Sequence, residues 1–284
     1  MICKNLTKTF TYINENGQSI IFDAEHGFII NKPAGIDTLS ISHSEAQGIN
    51  QVGSTIQSSN VQSRPVVITG YLCGNNQMSD KNSLLSIIRP DLTGKLFADD
   101  YYLDVRPTAT PSIEAAKEFA AFQFSLIAAY PYWQKDSSAS ETLSGVRKMF
   151  KFPWNISRAY RFGEVVTAAF INIFNEGQVP VPFTVTFSAI DSVVNPKLID
   201  AGTNDYLLLN KSLVAGEKVV IEITHERTYV NSTVDGECRG ALDLGSSFNR
   251  LAVGDNVIKP EATSGKENLN VRIDFAAEIV GIAL

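Results

Sequence analysis

Proton transfer near neutral pH and metal ligation both favour histidine, and the chain has three: His26, His43 and His225. None has a second histidine at metal-ligand spacing, and no Cys-x-x-Cys motif supplies thiolate partners. Glu222 and Glu226 flank His225 in the run Ile-Glu-Ile-Thr-His-Glu-Arg. Strand alternation would place Glu222, Thr224 and Glu226 on one face, where a solvated polar surface explains them better than an acid/base pair. Asp99-Asp100 with Asp104 could meet a cation, but the glycine and distal glutamate of a calcium loop are missing, so a polar turn is expected. No G-x-x-x-x-G-K and no G-x-G-x-x-G is present to cradle phosphate. These residues assign no catalytic group, no cofactor and no metal, and the chain is read as a non-enzyme.

Two aromatic clusters, Tyr130-Pro-Tyr-Trp133 and Phe150-Lys-Phe-Pro-Trp154, could stack on a sugar ring, with Trp133 and Trp154 as the candidate contact residues. Use as a structural plug or a subunit contact is the competing reading for both. Cys3, Cys73 and Cys238 are odd in number and far apart, which suits free thiols; a Cys73 to Cys238 bridge is the alternative.

Any such group must be held by a core, and 284 residues with 44% hydrophobic and 19% charged content can build one or two domains. The net charge of −6 offers no global positive excess for phosphate neutralisation, so no nucleic-acid partner is expected. Apolar runs are far shorter than the roughly 20 residues of a membrane-spanning helix, and the first residues lack the apolar region of a secretory signal. Neither a membrane nor a secretory route is expected.

Along the chain, Phe10 to Tyr12, Ile20-Ile-Phe22 and Phe28-Ile-Ile30 read as short strands, with Asn16-Gly17 as a hairpin turn. Residues 37 to 62 turn polar, rich in Ser, Gln, Asn and Gly, and predict an extended loop or β-arm. Strands are predicted over Arg64–Leu72, Gly94–Phe97, Tyr101–Arg106 and Ala121–Ile127. A helix capped at Ser79 or Asp80 carries Leu84, Leu85, Ile87 and Ile88 and stops before Pro90. Composition shifts near Ser137, giving a first domain over 1–136 and a second over 137–284. The second reads as a β-sandwich with strands over Val165–Phe174, Phe183–Ile190, Tyr206–Leu209, Lys218–Thr224, Tyr229–Asn231, Phe248–Leu251, Asn256–Lys259 and Leu269–Phe275.

Taken in order, these pieces resemble the siphophage distal tail protein family, in its short form without an inserted carbohydrate-binding module. The resemblance lies in Arg64 with Val66-Val-Ile-Thr-Gly70, the helix ending in Arg89-Pro90, Gly94-Lys-Leu96, Phe122-Gln-Phe-Ser-Leu126 and Tyr130-Pro-Tyr-Trp133. In the second half it lies in Asn172-Ile-Phe-Asn-Glu-Gly177, Asn195-Pro196, Ala215-Gly-Glu217, Ser247-Phe-Asn-Arg-Leu251 and Gly254-Asp-Asn256. It implies a mainly β fold: an N-terminal split β-barrel with one α-helix, and a C-terminal galectin-like β-sandwich.

The function it implies is structural. Six copies would form a ring through the first domain, joining the tail tube to the tail-tip or tail-associated lysin protein and to receptor-binding proteins. The segment 37–62 would reach a neighbouring subunit. The protein would be made in the bacterial host's cytoplasm and reside in the virion. A module binding host cell-wall polysaccharide is the alternative, and a hydrolase using Glu222 and Glu226 a more distant one.

Overall fold

The computed structural model describes residues 9–73, 77–114, 119–142, 144–148, 163–167 and 170–283. They divide into two compact units, one of Met1–Asp136 with Glu278–Leu284 and one of Ser137–Ala277. The second predicted domain ran to residue 284, but the final segment belongs with the first unit.

Eleven strands in chain order build most of the first unit: β1 (Phe10–Asn14), β2 (Ser19–Phe22), β3 (Phe28–Ile30), β4 (Ile41–Ala46), β5 (Thr55–Val61), β6 (Arg64–Leu72), β7 (Gly94–Ala98), β8 (Tyr101–Pro107), β9 (Ser112–Glu114), β10 (Ala120–Ala128) and β11 (Trp133–Lys135). The main sheet runs β2-β1-β7-β8-β10-β6-β3, antiparallel in its pairings. It curls until its two edge strands meet, with Phe22 and Phe28 edge to face at 5.6 Å, giving a nearly closed barrel. Strict alternation builds it: in β6, Arg64, Val66, Ile68, Gly70 and Leu72 face inward, and in β10, Ala120, Phe122, Phe124, Leu126 and Ala128 do the same. Rings of Phe22, Phe122 and Phe124 stack inside, and burying each contributes about 2–3 kcal/mol. Gly70 is small by necessity, since a Cβ there would lie 2.3 Å from the Ile29 carbonyl.

Helix α1 spans Gln77–Ile87. It starts two residues before the expected cap, so Ser79 and Asp80 lie in its first turn, where the Asp80 carboxylate complements the positive helix end. Leu84, and Ile88 just past its end, are fully buried, and the helix ends before Pro90 as predicted. The predicted Asn-Gly hairpin joins β1 to β2; Gly17 adopts φ +78°, and Asn14 Oδ1 accepts from the amides of Asn16 and Gln18.

In the second unit one sheet of six strands includes Ala139–Thr142, Leu269–Phe275, Thr184–Ala189, Lys218–Ile223 and Thr228–Ser232, and a four-stranded sheet includes Ile171–Asn175, Gly254–Glu261, Lys197–Asp200 and Tyr206–Leu208. Both contribute to one core, with Val185, Phe187, Ile221 and Val271 from the first and Ile173, Leu198 and Ile258 from the second. The sheets therefore pack as a sandwich. Two strand predictions need correction. Val165–Phe174 is divided into Gly163–Thr167 and Ile171–Asn175, with Phe170 in neither. Phe248–Leu251 is no strand: Phe248 and Leu251 are buried as a plug, Phe248 against Phe183 at 4.9 Å, and only Leu251 bridges to Val181.

Candidate functional site

The residues first considered for chemistry do not converge. Glu222 is exposed near the end of Lys218–Ile223, and the chain then turns, so the expected common face for Glu222, Thr224 and Glu226 does not form. Asp99 and Asp100 lie in the turn between β7 and β8. Among the described residues no group of three or more His, Cys, Asp or Glu is arranged to hold a metal. Cys73 and Cys238 are free, partly buried thiols whose ionisation burial pushes up; Cys3 lies outside the described residues.

Of the two tryptophans proposed as sugar contacts, Trp133 is fully buried, and its indole Nε1 donates to the Ile36 carbonyl at 3.1 Å. It has no face to offer a ligand. Among the described residues the indole is the largest fully buried side chain, and it is a hydrogen-bond donor with a partner, the environment of a structural plug. Trp154, with the Phe150–Trp154 cluster, lies outside the described residues.

The segment 37–62 contains the feature that stands apart from the packing. Among the described residues β4 and β5 pair with each other and with no other strand, forming a two-stranded arm. A β-bulge shifts register between Ser44 and Glu45, so Ser44 faces Ser58 but Glu45 faces Ile56. Every residue of both strands is exposed except Ala46, which is half-buried. The tip is held by its own polar groups: Gly48 donates to Gln51 Oε1 at 2.9 Å, Gln51 Nε2 to Thr55 Oγ1 at 2.9 Å, and Ser54 Oγ to Glu45 Oε2 at 2.5 Å. Ile49 and Val52 project there at 98% and 101% exposure, and Ile41, Ile56 and Val61 add exposed aliphatic surface along the ribbon. A two-stranded ribbon is marginal alone in water. Open edges and unburied aliphatic side chains suit it to cover, and be covered by, another chain.

A charged group that sequence reading left without a role anchors the base of the arm. Arg64, at 2% exposure, donates from Nε to Pro131 O at 2.7 Å, from Nη1 to Gly35 O at 2.8 Å and Ile36 O at 3.0 Å, and from Nη2 to Val280 O. Burial lowers its pKa, and nearby Asp37 opposes that effect. The signal was present in the pattern: period two puts Arg64 on the same face as Val66, Ile68 and Leu72, so a buried cation was implied.

A concavity of about 660 Å³ opens between β1, β7, β8 and β10, with Ile13, Phe97, Lys95 and Arg106 among its lining residues. At its rim Glu15 receives the Thr93 hydroxyl at 2.5 Å and the Thr93 amide at 3.2 Å, which lower its pKa. Gly94 leaves room for the buried Tyr12 hydroxyl, whose pKa desolvation, aided by Glu15, pushes up to about 12.

In the second unit the turn motifs that carried the resemblance are built from buried amides. Asn175 Nδ2 donates to Val179 O at 3.1 Å and Leu251 O at 3.3 Å, while its Oδ1 accepts from the Gly177 amide at 2.9 Å. Asn256 donates to Ile173 O at 3.2 Å, Ala252 O at 2.9 Å and Gly254 O at 3.0 Å. Glu217, 2% exposed, pairs with Lys211 at 2.7 Å and accepts from Ser232 Oγ at 2.6 Å and the Val214 amide at 3.0 Å. Lys211 also reaches Asp235 at 2.8 Å. These contacts fix turns and strand ends, which is structural work.

Residues 176–278 match the family model described as siphovirus-type tail component, C-terminal domain. No curated protein matches the chain. Among solved structures it is similar to SPP1 Dit (gp 19.1), described as a paradigm of the hub adsorption apparatus in phages infecting Gram-positive bacteria, with a TM-score of 0.69, 14% identity, and coverage of 95% of this chain and 98% of that one. A chain of the phage P2 baseplate in its activated conformation with Ca is similar at a TM-score of 0.50 and 12% identity, covering 98% of this chain and 100% of that one. At such identities the likeness is one of fold. The second unit thus matches the C-terminal domain of siphovirus-type tail components, and the chain as a whole has the fold of SPP1 Dit.

Proposed function

We propose that the chain is a non-enzymatic hub of a phage tail tip. Copies of the first unit close into a ring, six being the expected number, that joins the tail tube to the tail-tip or tail-associated lysin protein and carries receptor-binding proteins. The protein resides in the virion after synthesis in the bacterial host. The observation that carries this reading is the β-arm, a ribbon exposed along both strands on a chain whose fold is that of a phage hub protein. A ring needs a heterologous contact, in which a projection on one copy meets a different surface on the next, and the arm supplies the projection.

Sedimentation of the purified protein over a wide concentration range tests it. Concentration-dependent growth to a closed species of defined size is expected. A strict monomer at every concentration that also fails to bind tail-tube and tail-tip proteins contradicts the proposal.

A further inference from the structure

The arm's direction is set where it joins the barrel, because its own residues make no buried contacts. One foot is residues 34–37 and the other residues 62–67. Ala34 and Val67 exchange main-chain hydrogen bonds at 2.9 and 3.0 Å, and the Gln62 amide donates to Ser40 O at 2.9 Å. The Arg64 guanidinium, seated in the second foot, grips Gly35 O and Ile36 O in the first.

The third participant is the chain's closing segment. It pairs with β11, Trp133 opposite Ile279 and Gln134 opposite Glu278. Its Val280 carbonyl takes the Arg64 Nη2 bond, its Ile282 amide donates to Ile36 O at 3.2 Å, and the Ile282 side chain is buried in the barrel core. Gly281 lies so close to the first foot that a Cβ would meet Asp37 O at 2.7 Å. Ile36 O thus receives donors from Arg64, Trp133 and Ile282 at once.

We propose that Arg64 and the returning segment Glu278–Ala283 form a clasp that fixes the direction of the β4–β5 arm. Arg64 is a positioning residue, since its planar fork holds four carbonyls from three separate segments in one geometry, which the single ammonium of lysine cannot do. The consequence for assembly rests on the arm-mediated ring proposed above, whereas the local consequence does not.

The experiment uses the full chain carrying Arg64→Lys and, separately, Ile282→Ala, which keeps the guanidinium and loosens the returning segment. Amide hydrogen exchange is followed at Ala34, Gln62 and Val67, with Phe124 and Ile221 as references in the two units. Exchange at the three arm-foot amides is expected to rise at least tenfold with the references unchanged, and the concentration needed for assembly to rise at least tenfold. Should Arg64→Lys fail to fold, Ile282→Ala decides. Arm-foot exchange at the wild-type rate, or acceleration equal to that at Phe124, overturns the clasp. Should the wild type never assemble and also fail to bind tail-tube and tail-tip proteins, the ring proposal fails while the exchange result still decides the clasp.

Discussion

Single side chains in this molecule act mostly by satisfying buried polar groups, and their replacements have calculable signs. Glu217 is the clearest case: burial raises its pKa, but Lys211, the Ser232 hydroxyl and the Val214 amide together outweigh that and leave it lowered. A lowered carboxylate contributes stability that is complete above the unfolded glutamate value of about 4.3 and is lost as pH falls through the folded one. Thermal melting should therefore drop on acidification below about pH 4.3, and Glu217→Gln should flatten that dependence. At neutral pH Glu217→Ala should cost about 3 kcal/mol in chemical denaturation, because it leaves Lys211 with only Asp235. Gly35 has φ +86°, and a Cβ would lie 1.9 Å from Pro65 O. Gly35→Ala should destabilise by at least about 2 kcal/mol, measured the same way. Trp133→Ala should cost about 3–5 kcal/mol through its cavity. A stability loss under about 1 kcal/mol would show that the indole is not the plug it is taken to be.

At the scale of elements, the arm and the barrel obey opposite rules. Strands of the barrel alternate and are stabilised by burial, while β4 and β5 are exposed on both faces. Ile49→Asp with Val52→Asp should leave stability within about 0.5 kcal/mol, since neither side chain is buried. The same pair of changes should abolish self-association in sedimentation. Much of this was legible in the sequence: β6, β10 and Leu269–Phe275 were readable because each alternates over seven residues or more, and the polar composition of 37–62 marked a segment that could not build a core. Other elements were hidden for physical reasons. Lys197–Asp200 is short and mixed in character, and it is a strand because Gly254–Glu261 and Tyr206–Leu208 flank it on both sides. Phe248 and Leu251 looked like a strand because hydrophobicity records burial, and a plug in a loop is buried too. Arg64 was readable as facing inward, but its four carbonyl partners come from segments that no local pattern connects.

At the scale of the whole molecule, the chain leaves the first unit at Asp136 and comes back to it at Glu278. No periodicity announces such a return; it depends on pairing between residues more than 140 positions apart, such as Trp133 with Ile279. The proposed function gives assembly to the first unit. The net charge of −6 leaves electrostatic steering of the ring's partners to local patches. Electron micrographs of the purified protein show whether its copies close into a ring. Closed rings with a central channel are expected in the wild type and are expected to be absent from the Ile49→Asp, Val52→Asp variant. Fields of separate single molecules at every concentration, with or without tail-tube protein, would contradict the proposed ring.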